Sequence, residues 1–162
     1  DRLFAARGAM ELVGGSAIVL DAGTALTVDA VRVDGRREAT FLGGSIAPGP
    51  TLLADALVRH TARLPRLKPK PGAHALGRDT QEAVQSGIVV GFQGAALHLV
   101  ERIAAEADLA DAPLVITGGA RDFLIASKPA ALFGERRLLI EPELVQRGLI
   151  AALIDPVTRE GS

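Results

Sequence analysis

Cysteine, tryptophan and tyrosine are absent from this chain of 162 residues, and its five aromatic residues are all phenylalanine. Without a thiol there is no disulfide, no thiolate zinc site and no cysteine nucleophile, and such a chain suits a reducing cytosol. So few aromatics offer no platforms for stacked bases, and a formal charge of -1 provides no basic stripe for a phosphodiester backbone. Nucleic acid is therefore not an expected partner. No basic start leads into an apolar stretch, and the apolar runs read as shorter than the roughly 20 residues that span a bilayer. The expectation is a soluble, untargeted, cytoplasmic protein with no membrane contact. His60, His74 and His98 show no metal-ligand spacing. Ser16, Ser45, Ser86 and Ser127 lie in no nucleophile-elbow pattern, so hydrolase chemistry gains no support.

What is present has the periodicity of a single α/β domain. The chain opens on Asp1 rather than Met and enters a helical pattern at once, so it reads as cut from something longer. Leu3, Ala6, Met10 and Val13 recur at helical spacing and stop at Gly14-Gly15, which predicts a helix over Arg2 to Val13. Strands are expected at Ser16–Leu20, Ala25–Arg32 and Ala39–Leu42, the last two joined through a turn at Asp34-Gly35. The glycines and prolines of Gly43–Pro50 predict a shaped loop, followed by a helix from about Thr51 to Ala62. Three prolines within Leu64–Gly72 make an extended connection inside one domain.

Asp79-Thr-Gln-Glu82 has the form of a capping box and opens a long helix to about Ala107. Gly87, Gly91 and Gly94 share one face of it; each costs about 1 kcal/mol relative to alanine, which close packing by a neighbour must offset. A strand over Pro113–Thr117, a turn at Gly118-Gly119, a helix from Ala120 to Ser127, a strand over Arg137–Glu141 and a helix from Glu143 to Ile154 complete the pattern. This order predicts a mixed sheet flanked by helices over residues 1–155, with 156–162 as a tail.

Asp21-Ala-Gly-Thr24 follows a strand directly. An aspartate there can hold a cation, glycine lets backbone N–H groups approach a phosphate, and threonine adds a hydroxyl; an ordinary turn with a side-chain-to-backbone hydrogen bond has the same residues. Asp1 stands where a helix N-cap belongs, and Thr80 sits beside the capping Asp79.

Taken together, Asp1-Arg2, Asp21-Ala-Gly-Thr-Ala-Leu-Thr-Val-Asp29, Phe41-Leu-Gly-Gly-Ser-Ile-Ala-Pro-Gly49, Thr61-Ala-Arg-Leu-Pro65, Gly77-Arg-Asp-Thr80, Ser86-Gly87 and Thr117-Gly-Gly119 occur in the order found in type III pantothenate kinases. The chain resembles that family from Asp1 to about Ile154. The resemblance implies a ribonuclease-H-like domain of the actin-like superfamily, in which two α/β halves enclose ATP. The Asp-x-Gly-Asn-Thr motif that precedes this region in the family has no counterpart here, so the resemblance implies a C-terminal half whose N-terminal partner half is missing, with an isolated chain that is catalytically silent.

The implied reaction is phosphorylation of pantothenate by ATP to 4'-phosphopantothenate, the first step of coenzyme A biosynthesis. Asp1 matches the general base and Arg2 a residue that binds the pantothenate carboxylate. Thr80 matches a second pantothenate contact. Asp21 matches the ligand of a monovalent cation, K+ or NH4+, which acts beside Mg2+; Gly23, Thr24, Gly118 and Gly119 match nucleotide contacts. Asp29, further along its strand, reads as structural or as support for the site. The family's homodimers imply self-association, with the glycine face of the long helix as its candidate surface. Pro50, where the family more often has an apolar residue, is expected to stiffen its loop, and Arg36-Arg37-Glu38 to lengthen the turn before the third strand. Two rival readings stand beside the kinase: a non-catalytic accessory or regulatory relative, and a kinase for another small hydroxyl compound.

Overall fold

The computed structural model describes residues 1–35, 38–126 and 132–154. In chain order its elements are α1 (Arg2–Val13), β1 (Ala17–Ala22), β2 (Ala25–Val33), β3 (Ala39–Pro48), α2 (Pro50–His60), α3 (Thr80–Glu106), β4 (Leu114–Thr117), α4 (Asp122–Ile125), β5 (Leu138–Ile140) and α5 (Leu144–Ile154). The expected tail, Ser127, and the Arg36-Arg37 part of the lengthened turn lie outside the described residues.

The strands form one sheet in the order β3-β2-β1-β4-β5. β1 pairs antiparallel with β2 and parallel with β4, so β1 is the hinge between a meander and a crossover unit. β2 pairs antiparallel with β3, and β4 parallel with β5. Alternation then divides the side chains between two faces. Ile18, Leu20, Leu26, Val28, Leu114 and Ile116 face α3 and α4, where Phe92 meets Phe123 edge-on at 6.3 Å. Val19, Val31 and Val115 face α1 and α5. Ile18, Val19 and Leu20 are fully buried, each worth about 1.5–3 kcal/mol on removal from water. β1 is apolar on both faces because both are covered.

Two expectations need correction. Gly43–Pro48 is not a loop: β3 runs through it to Pro48, with a bulge opposite Ala30 and Val31 that Gly43 accommodates at φ 102°. β3 is an edge strand, so Pro48 at its end removes no ladder hydrogen bond. Pro50, expected to stiffen that loop, is buried at the start of α2, where a missing N–H costs nothing. Second, α3 is by length and composition apolar enough to cross a membrane, where the apolar runs were expected to be too short. That apolarity serves the core, since Phe92, Ala96, Val100 and Ala104 of α3 are buried against the sheet.

Helices α1 and α5 cross in backbone contact. A Cβ on Gly148 would strike the carbonyl of Phe4, and one on Gly8 would strike that of Leu144. Their mutual approach brings α5 down over the sheet and fixes the entry of α1 above the ends of β1 and β2.

Candidate functional site

The carboxyl ends of β1 and β4 lie together, and three glycine-bearing turns meet there. The β1–β2 turn is closed by Gly23 N–H donating to Ala25 O at 2.9 Å. Gly49, at the head of α2, donates to Thr24 O at 2.9 Å, and no side chain fits at Gly49 because Gly23 O and Thr24 O occupy the space. The β4–α4 turn abuts the same strand end: Ala120 N–H donates to Ala22 O at 2.7 Å, and Gly118 takes φ 92°. A Cβ on Gly118 would meet both Ala22 O and Asp21 Oδ1, so only glycine serves there. Asp21, Gly23, Thr24, Gly118 and Gly119 are thus brought to one end of the sheet, with Thr24 and Gly119 exposed.

On the α1 face of the sheet, register sets Asp21 between Thr27 of β2 and Thr117 of β4. Thr117 is buried and its hydroxyl donates to Pro142 O at 3.4 Å. Asp29 is the diagonal neighbour of Asp21, opposite Val19. Burial raises the pKa of Asp21 above the ordinary carboxylate value, and the charge of Asp29 raises it further. The charge of Asp29 is met by Arg2, whereas Asp21 has no cationic side chain bonded to it among the described residues. Among the described residues no three His, Cys, Asp or Glu side chains group into a metal cage, so a cation at Asp21 needs backbone, water or phosphate oxygens as its other ligands.

Arg2 stands above this face at the first turn of α1. Its Nε donates to both carboxylate oxygens of Asp29 at 3.1 Å, and its Nη2 also bonds Oδ1. Phe41 of β3 lies under the guanidinium, 5.6 Å from ring centre to Cζ. The pKa of Arg2 is raised, chiefly by the hydrogen bond to Asp29, so its charge is permanent. Asp1 is exposed and precedes it as N-cap, but its carboxylate makes no capping hydrogen bond; the backbone carbonyl of Asp1 receives Ala5 N–H at 2.9 Å.

Thr80 stands apart from this cluster. It lines a hollow of about 580 Å³ between α2 and the start of α3, with Leu57, Leu64, Arg78, Val84 and Gly87, and none of Asp1, Arg2, Asp21 or Thr24 lines it. Asp79 caps the helix beneath it, accepting Glu82 N–H at 2.9 Å, while Glu82 Oε2 reaches back past the cap residue to accept Arg78 N–H at 2.8 Å. Among the described residues nothing packs closely on the glycine face of α3; a Cβ at Gly87, Gly91 or Gly94 would have open space around it. The close neighbour that the glycines predict is therefore not an element of the described residues.

Asp29 was expected to be structural or a support for the site; its partner, Arg2, had no sign in the sequence. The tight turn through Gly23 and Thr24 carried the signal for its face, since it sets Asp21 opposite Thr27 and so places Asp29 on the same face. Neither Phe41 nor Gly44 had a signal beyond the motif that contains them.

Comparison with known proteins bears on the family and the fold. Residues 1–102 match the family model described as type III pantothenate kinase. The type III pantothenate kinase of Akkermansia muciniphila is 36% identical over 149 residues, 92% of this chain and 57% of that protein. Its counterpart from Streptomyces coelicolor is 43% identical over 123 residues, 74% of this chain and 44% of that protein. The chain spans about half the length of the curated relatives it matches. Among solved structures, the archaeal actin homologue Ta0583 superposes with a TM-score of 0.56 at 14% identity, covering 94% of this chain and 54% of that one. A pCBH ParM non-polymerisable quadruple mutant gives 0.59 at 8% identity, covering 93% and 52%. These two likenesses show the fold alone, an actin-like α/β unit. Fold, family model and curated relatives agree, and the chain belongs to the type III pantothenate kinase family.

Proposed function

We propose that this chain takes part in the phosphorylation of pantothenate by ATP and supplies the wall of the site that receives the acceptor. The observation that carries the reading is the meeting at one sheet end of Asp21 and the turns at Gly23 and Gly118, with Arg2 clamped to Asp29 further along the same face and Asp1, whose carboxylate makes no capping bond, next to Arg2 in the chain.

In this reading Arg2 takes the pantothenate carboxylate through the guanidinium donors that Asp29 leaves over. Asp1 accepts the proton of the primary hydroxyl while its oxygen bonds to the γ-phosphorus; the bond from that phosphorus to the bridging oxygen breaks and ADP departs with the electron pair. Gly23, Thr24, Gly118 and Gly119 line the phosphate path: Gly23, whose own N–H closes its turn, leaves room for a phosphate, Gly118 and Gly119 let their backbone N–H groups come close, and Thr24 adds a hydroxyl. Asp21 would hold a monovalent cation, K+ or NH4+, which together with Mg2+ would supply positive charge to the transferring group. The reading goes with a cytoplasmic location, alongside both substrates.

Thr80 enters from a second copy. Its hollow runs into the glycine face of α3, with Gly87 on both, and no described residue would touch a Cβ at any of the three glycines. A homodimer packed through Gly87, Gly91 and Gly94 would set the Thr80 hollow at the junction of the two copies.

The test is a chimera in which this chain replaces the matched segment of the Streptomyces coelicolor relative. Formation of 4'-phosphopantothenate from pantothenate, ATP, Mg2+ and K+ supports the reading, and a folded chimera without product refutes it. The chain alone, which carries no Asp-x-Gly-Asn-Thr motif, is expected to give no turnover.

A further inference from the structure

Asp29 does more than fill the sheet. It is 1% exposed, yet it is charged and sits on a strand whose other inward residues on that face are Thr27 and Val31. Space for it comes from Gly44 on β3, its register partner: a Cβ at Gly44 would collide with Asp29 Oδ1, with Asp29 Cα and with Val28 O. A glycine on the edge strand, a buried carboxylate and an aromatic ring at Phe41 all converge on one guanidinium. Arg2 remains about one-third exposed, at 36%. The clamp engages Nε and one edge of Nη2, and leaves Nη1 and the outer N–H of Nη2 for a partner.

We propose that Asp29 is the positioning residue of the acceptor site: it locks Arg2 in a single orientation, so that the outer edge of the guanidinium presents a preformed fork to a carboxylate. A bidentate pair fixes the plane of the guanidinium as well as its place, and the ring of Phe41 closes off one side of that plane. A free arginine on a first helical turn samples many rotamers and loses that freedom on binding; a clamped one has lost it already. The specificity that follows is for an acceptor bearing a carboxylate over one bearing a neutral group at the same place. The inference rests on the reading of Arg2 as the carboxylate receptor.

The experiment uses the whole chain and follows the Arg2 Nε–H resonance by side-chain NMR during titration with pantothenate and with pantothenol, in which an alcohol replaces the carboxylate. In the wild type the resonance is slow to exchange, shifts with pantothenate and does not shift with pantothenol, and pantothenate binds at least 10-fold tighter. Asp29→Asn, which keeps the shape of the side chain, abolishes the slow exchange and brings the two affinities within about 2-fold. Arg2→Lys keeps the charge without the fork and loses the preference likewise, with Asp29 still paired. A preference retained in Asp29→Asn or in Arg2→Lys overturns the inference alone. An Arg2 resonance that in wild type ignores both ligands overturns the reading of Arg2 itself, and the inference with it.

Discussion

Asp21 and Asp29 lie on the same face of the sheet as diagonal neighbours, and among the described residues Arg2 pairs with Asp29 and not with Asp21. Asp21 is the uncompensated member. Because burial and the charge of Asp29 both raise its pKa, the folded chain keeps its proton at a pH where the unfolded chain has lost it. Stability from this group is therefore full below the ordinary carboxylate value and declines as pH rises through the raised one. Asp21→Asn is expected to be more stable than the wild type at pH 7, with the difference closing toward pH 3, as read from thermal unfolding across that range. Potassium is expected to raise the wild-type midpoint at pH 7 and to leave Asp21→Asn unmoved, with about 2.7 kcal/mol gained at one hundred times the dissociation constant. Equal stability of the two proteins at pH 7 contradicts this account of Asp21.

The crossing of α1 and α5 sets the height of Arg2 above the sheet. Gly148→Ala places a methyl group against the carbonyl of Phe4, where backbone rather than a flexible side chain must yield. Urea denaturation is expected to show a loss of about 1–3 kcal/mol. An unchanged midpoint means that the helices part without cost and that the crossing does not hold α1 in place.

Much of this architecture is legible from the residues. The helix over Arg2–Val13 ends at Gly14, whose φ of 72° is the left-handed stop that a Gly-Gly pair announces. The apolar stretch beginning at Ala17 is read directly from its run of branched residues, and the long helix from its capping box. The continuation of β3 through Gly43–Pro48 is hidden because glycine and proline are local breakers. Here they answer to tertiary demands: a bulge at Gly43, a buried carboxylate opposite Gly44, and an edge position for Pro48. Of the candidate site, the turns follow from their place after strands, Asp21 stands not after its strand but inside the end of β1, and the separation of Thr80 from Arg2 has no local sign. It depends on α3 packing against α2 ahead of the sheet, through Ala54, Val84 and Ile88.

The bare glycine face of α3 makes a sharper expectation than composition does. If it is the contact between two copies, Gly91→Leu converts a dimer to a monomer in light scattering behind size exclusion, with the far-ultraviolet spectrum unchanged. In the chimera, mixing Arg2→Ala with Thr80→Val variants, each inactive, is expected to restore about a quarter of the activity, since half the dimers are mixed and each mixed dimer has one intact site. No recovery on mixing contradicts a site shared between copies.

Phosphate transfer in the chimera tests the central claim most directly. Mass-spectrometric detection of 4'-phosphopantothenate is expected for the wild-type chimera, with the rate about 100-fold or more lower in Asp1→Asn, the loss typical of a removed general base. A chimera whose Asp1→Asn form keeps the wild-type rate contradicts the assignment of the acceptor wall to this end of the sheet.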